Sequence, residues 1–239
     1  ITKPKNGETR FWLVDPHDGT RPYQEGYRGS SISIALVEDG RPVLGIVYAP
    51  AGRCGWGDYF GWCQGGYFRR NGFYVQWQSA LPIALVSNKA ELRHDAYVAF
   101  CAPLRYQPVP GIAYRLALAA AGQGSLAYSV GQPRDLDLAG GHALLIGAGL
   151  ELYDHLGQTI RYTFPGEAER QKGWVVGGAL ALTMAPFETE LSVNKAARQQ
   201  PQWMLQPSIN ALCSDPHLLD RYEGALVGCL IADAITLNT

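Results

Sequence analysis

The chain has 239 residues, 47% of them hydrophobic and 17% charged, with a net charge of −1. That composition supplies a sizeable core and argues against disorder, and without a basic surplus to neutralise a phosphate backbone nucleic acid is not an expected partner. No apolar run reaches the length of a membrane span and the polar start ITKPKNGETR has no signal-like apolar region, so no membrane association and a cytoplasmic location are expected.

The first predicted element is the strand Phe11-Trp12-Leu13-Val14, which runs into Asp15-Pro16-His17-Asp18-Gly19-Thr20. Pro16 has no N–H to give a ladder and is expected to stop the strand. SISIALVEDGRPVLGIVYAP then reads as a hairpin about Glu38-Asp39-Gly40, because Asp-Gly accepts the positive φ of a tight turn. GDYFGWCQGGYFRRNGFYVQW continues in β style, with Asn71-Gly72 as a second turn, and PIALVS (82–87) is a further short strand. The chain then changes character. GIAYRLALAAAGQG has helical spacing and stops at Gly122 and Gly124, and DLAGGHALLIGAG is a second helix, opening on Asp137 and closing at Gly147 to Gly149. LELYDHLGQTIRY returns to strand and turn, and GWVVGGALAL is a late strand-like run. NKAARQQPQWMLQPS reads as a linker, followed by a helix in HLLDRYEGALVGCLIADAI that is apolar all round. The five cysteines, Cys54, Cys63, Cys101, Cys213 and Cys229, form no C-x-x-C pair, so free thiols are expected rather than zinc or a disulfide framework.

The chemistry gathers at the end of the first strand. A short turn there can bring the carboxylates of Asp15 and Asp18 to one side. Two hard oxygen ligands suit Mg²⁺, which takes a few carboxylates and keeps positions for water and substrate phosphate. The carbonyl of His17 can add a ligand, the backbone N–H groups of Gly19 and Thr20 can hold a phosphate oxygen, and the Thr20 hydroxyl can orient water. The bland alternative is a turn in which both aspartates only cap backbone N–H groups. An aspartyl-phosphate mechanism of the haloacid dehalogenase type is disfavoured by spacing, since it needs D-x-D-G-T and Pro16 stands where the first aspartate would be. Of the histidines, His142 is expected to pack or cap, and His94, His155 and His217 to face water.

WLVDPHDGT resembles the first metal-binding signature of the inositol monophosphatase family, and GSSISIALVEDGRPVLGIVYAP its next hairpin. GGYFRRNG is similar to its G-x-G-x-x-x-N-G segment. LDLAGGHALLIGAG resembles its second signature, with Leu136 in place of a tryptophan, Gly140 in place of an alanine and Asp137 at the signature's aspartate. The resemblance covers roughly Phe11 to Leu182. It implies a layered α/β fold, an αβαβα sandwich lacking its N-terminal part, with residues 1–80 in the first subdomain and 81–195 in the second. It implies that Asp15, Asp18 and Asp137 share Mg²⁺ with help from the His17 carbonyl, and that the Gly19 and Thr20 amides hold the phosphate. The activity implied is in-line attack of a metal-activated water on a phosphate monoester, with two or more cations stabilising the attacking and leaving oxygens.

Three departures from the pattern shape the expectations. The family's upstream G-E-E segment, whose glutamate ligates metal, has no counterpart, since the chain begins fourteen residues before Asp15 and Glu8 is too close to the strand. The chain is therefore expected to be a fragment or a shortened protein, and the three aspartates alone to support little turnover. Gly111 stands where the family carries the serine of Gly-Ser-x-Ala beside the substrate, which opens the substrate to a nucleotide bisphosphate or a sugar phosphate as well as inositol phosphate. DRYEGALVGCLIADAI resembles the first helix of ADP-ribosylglycohydrolases, so 196–216 is expected to link to the start of such a domain at 217–239. The expected function is a Mg²⁺-dependent phosphate-monoester hydrolase acting on a small phosphorylated metabolite, with a homodimer as a candidate assembly. The alternative is a non-catalytic phosphatase-like module attached to a glycohydrolase.

Overall fold

The computed structural model describes residues 9–52, 57–76, 80–163, 171 and 173–184. All belong to the first of two compact units, residues 1–200; the second, 201–239, lies outside the described residues, as do the expected linker and terminal helix.

Six antiparallel strands form the first sheet in sequence order: β1 (Arg10–Asp18), β2 (Ser31–Glu38), β3 (Arg41–Ala49), β4 (Asp58–Cys63), β5 (Arg69–Arg70) and β6 (Phe73–Tyr74). Both expected turns are present. Asp39 and Gly40 have φ of 50° and 77°, and Asn71 and Gly72 have φ of 51° and 85°, the paired left-handed residues that match the twist of the flanking strands. The second sheet has the order β10 (Leu152–Asp154), β11 (Val175–Gly177), β9 (Leu126–Ser129), β7 (Ile83–Val86), β8 (Arg105–Pro108), with β7 parallel to both of its neighbours.

Between the sheets lie α3 (Ile112–Ala120), packed on the second sheet, and α4 (Asp135–Gly147), packed on the first, with the two helices against each other. The outer face of the second sheet carries α2 (His94–Cys101), so that Leu85 joins the inner core while its neighbours Ala84 and Val86 join Tyr97 and Cys101 outside. The described layers are thus sheet, helices, sheet, helix. The α/β sandwich expected from the sequence is present in these four.

The glycines of α4 explain its place. A glycine in a helix interior costs about 1 kcal/mol relative to alanine, and here close packing offsets that cost. A Cβ on Gly140 would lie 2.4 Å from Ser33 Oγ, and one on Gly45 of β3 would lie 2.4 Å from Ala143 Cβ and 2.6 Å from the Gly140 carbonyl. The helix therefore rides directly on the β2 and β3 backbones. Further along α4, His142 is fully buried, with one ring nitrogen 3.0 Å from the Tyr162 hydroxyl and the other bonded to Glu151, which pairs with Arg41 of β3 at 2.8 Å. The packing role expected of His142 is the one it has. Cys101 is buried and Cys63 half-buried, neither in a disulfide, and burial pushes Cys101 up to about 12. No helix among the described residues is long and apolar enough to cross a membrane.

Candidate active site at the end of the first strand

Pro16 does not stop β1. The strand continues to Asp18, and between Asp15 and Asp18 its register slips. Asp15 faces Ser33 while Asp18 faces Ser31, so three residue steps on β1 match two on β2. This is a bulge, and its extra residue has a chemical consequence. In an unbroken strand residues three apart point to opposite faces. Here Phe11, Leu13, Asp15 and Asp18 are all buried on the core side, while Trp12, Val14 and Pro16 are exposed. Pro16 is tolerated because, among the described residues, β1 is the outer strand of its sheet, where a missing N–H leaves no ladder partner unserved. The His17 N–H closes the bulge by donating to Asp15 Oδ1 at 2.9 Å.

Gly19 follows with φ of 83° and opens α1 (Thr20–Gln24), whose first amides have no partner within the helix. The Thr20 hydroxyl donates to the His17 carbonyl at 2.7 Å, so two of the expected site groups are bonded to each other.

Asp18 is 5% exposed. One oxygen, Oδ2, accepts from the Ala113 N–H at 2.8 Å and from Ser31 Oγ at 3.2 Å. It thus serves as the cap of α3, whose own N-cap position is Gly111 and offers no side chain. Gly111 is wedged in place, for a Cβ there would lie 2.6 Å from Asp18 Oδ2 and 2.6 Å from the Gly29 carbonyl. The serine of the family pattern has no room here. Burial raises the Asp18 carboxyl to about 7; the charge of Arg115 and the Ala113 N–H oppose the rise, and the charges of Asp137 and Asp15 add to it.

The second helix opens two residues earlier than expected, at Asp135, which is buried and accepts from Gln171 Nε2 at 2.8 Å. Asp137 is the third helical residue, and Oδ2 accepts from the Arg134 N–H at 2.8 Å, one half of a capping box. It caps, and it also meets Asp15, carboxyl to carboxyl. Burial raises Asp137 to about 6 against the Arg134 N–H, and the charge of Asp15 and a hydrogen bond with it push the same way. Two carboxyls this close are a donor set that a hard divalent cation can bridge, so Asp15 and Asp137 fit such an ion. Among the described residues no three His, Cys, Asp or Glu side chains converge closely enough to form a ready-made cage, because Asp18 is turned onto α3.

Sequence reasoning missed the residues that hold Asp18. Ser31 lies opposite it on β2, and the charge of Arg115, buried on α3, acts on it. The signal for Arg115 was visible: it is the one charge in GIAYRLALAAAG, a stretch otherwise apolar.

The model of the inositol monophosphatase family matches residues 2–191. The 3'(2'),5'-bisphosphate nucleotidase CysQ of Salmonella typhimurium is 32% identical over 158 residues, 64% of this chain and 63% of that protein. The chain thus spans less than two thirds of that relative's length. Among solved structures, an inositol monophosphatase from Zymomonas mobilis aligns with a TM-score of 0.56 at 24% identity, over 73% of this chain and 67% of that one. Inositol monophosphatase II of Staphylococcus aureus aligns with a TM-score of 0.58 at 18% identity, over 75% and 66%. The structural likenesses speak for the fold alone. Together with the family match over most of the sequence and a site whose two halves stand on the two signatures, they lead to one conclusion: the chain belongs to the inositol monophosphatase family.

Proposed function

We propose that this chain is a Mg²⁺-dependent phosphate-monoester hydrolase. The observation that carries the proposal is the approach of the Asp15 and Asp137 carboxyls to hydrogen-bonding distance, with Gly19 and α1 following directly on β1. Asp15 and Asp137 hold the cation, with the His17 carbonyl beside them. Asp18 adds negative charge and keeps α3 against the site. The Gly19 and Thr20 amides receive a phosphate oxygen, and the Thr20 hydroxyl, fixed on the His17 carbonyl, orients water. Mg²⁺ bound there supplies a Lewis acid that polarises phosphate oxygens and makes water a nucleophile near neutral pH. The identity with CysQ favours a nucleotide carrying two phosphates over inositol phosphate as the substrate class. A sugar phosphate is the third class to compare.

Phosphate release from a 3',5'-bisphosphate nucleotide, an inositol monophosphate and a sugar phosphate, with and without Mg²⁺, tests this. Release that needs Mg²⁺ and vanishes in Asp18→Asn is expected. Asp18→Asn that changes only thermal stability, with no Mg²⁺-dependent release by the parent, would overturn the hydrolase and leave the non-catalytic module.

A further inference from the structure

Arg115 is 3% exposed and sits on a helix whose nine residues are all buried. A buried cation is costly unless its donors are used and an opposite charge is near. One guanidinium nitrogen, Nη1, donates to the carbonyls of Val109, at 2.6 Å, and Pro110, at 3.0 Å, while Nε has no partner. The opposite charge is Asp18, and each acts on the other to favour its ionised form.

The two carbonyls belong to the turn that leads into α3, and that turn is the wedge described above. Gly111 donates its N–H to the Gly29 carbonyl at 3.1 Å and lies against Gly19, where an added Cβ would be 3.3 Å from Gly111 Cα. Moving Val109 and Pro110 moves Gly111, and with it the Ala113 N–H that Asp18 accepts.

We infer that Arg115 is a positioning residue of the candidate active site, tying the Val109–Gly111 turn so that the N-terminus of α3 fixes Asp18. This inference rests on the hydrolase proposal for its consequence, because there Asp15 and Asp137 hold the cation and Asp18, fixed at the start of α3, adds its negative charge beside them. The inference explains why a cation stands at this point of an apolar helix. A neutral side chain of similar length would fill the volume without holding two carbonyls or facing a carboxylate.

The test compares Arg115→Met and Arg115→Lys with the parent protein, all without substrate. Amide exchange at Ala113, followed by NMR in the absence of metal, reads the turn. Calorimetric titration with Mg²⁺ alone reads the cation site. In Arg115→Met the Ala113 amide exchanges at least about tenfold faster and Mg²⁺ binds at least about tenfold more weakly, while the amides of β3 keep their protection. In Arg115→Lys, which keeps the charge and can reach one or both carbonyls, both quantities return to within about threefold of the parent. Ala113 exchange and Mg²⁺ affinity that are unchanged in a folded Arg115→Met would overturn the inference, as would loss of protection spread evenly over the core in both variants. A parent protein that binds no Mg²⁺ would overturn the hydrolase proposal and this inference with it. A parent that binds Mg²⁺ but releases no phosphate would strike only at the former, provided the two variants behave as stated.

Discussion

At the scale of single residues, the buried groups away from the site give the clearest dependence on pH. Burial lowers His142 below its ordinary 6.5 against the pull of Glu151, so it is neutral in the fold. Burial alone would raise Glu151, but the bonds and charges of His142, Arg41 and the Leu152 N–H prevail and bring it from 4.5 to about 2. The signs follow from proton uptake. The folded imidazole takes up its proton at a lower pH than the unfolded one, so stability falls as pH drops below 6.5. Glu151 contributes fully above pH 4.5, and its contribution fades as pH falls towards 2. The melting temperature is therefore expected to decline on acidification from about pH 6.5, and His142→Gln is expected to flatten the pH 5–6.5 part of the curve. An unchanged slope in that variant would assign the acid sensitivity elsewhere.

At the scale of elements, the site depends on how closely α4 approaches the first sheet. Gly45→Ala sets a methyl against Ala143 and the Gly140 carbonyl; one of these is backbone and cannot step aside. Overpacking of this kind costs about 1–3 kcal/mol. Urea unfolding is expected to show that loss, and Mg²⁺ affinity is expected to fall with it as Asp137 lifts away from Asp15. The elements legible in the sequence were those with strong local chemistry. Asp39-Gly40 and Asn71-Gly72 announced their hairpins, and the apolar runs of α3 and α4 their helices. Short elements without such marks went unread: β8 and β9 have four residues each, and α2 has only Tyr97 and Cys101 buried. The start of α4 was misplaced because Asp137 looks like a cap and is one, but from the third helical position. The continuation of β1 past Pro16 could not be read either, since an edge position is a property of the sheet and not of the strand.

At the scale of the molecule, the site is non-local. Asp15 and Asp18 come from the first strand, Gly111 and Ala113 from the start of a helix that begins after seven strands more, and Asp137 from α4. The sequence motifs named Asp15, Asp18 and Asp137 because their spacing repeats a known pattern. Ser31 and Arg115 carry no pattern and acquire meaning only when β2 and α3 are folded against β1. The order of the layers matters in the same way: with α3 and α4 between the sheets, both sheets must be in place before either helix is held where the carboxylates need it.

The bulge in β1 has a second effect, on the life of the protein among its copies. Among the described residues β1 is the outer strand of its sheet, and its solvent-facing side carries Trp12 at 42% and Val14 at 48% exposure; an outer strand of this kind invites another chain to add a strand. Pro16 removes one donor from that edge, and the bulge twists the strand just where a visiting chain would need a straight ladder. The same irregularity that turns two carboxylates inward is thus expected to disfavour strand addition along β1. Pro16→Ala is expected to leave the fold intact and to raise the rate of aggregation on gentle heating, measured by light scattering. An aggregation rate equal to that of the parent would show that the edge is protected by other means.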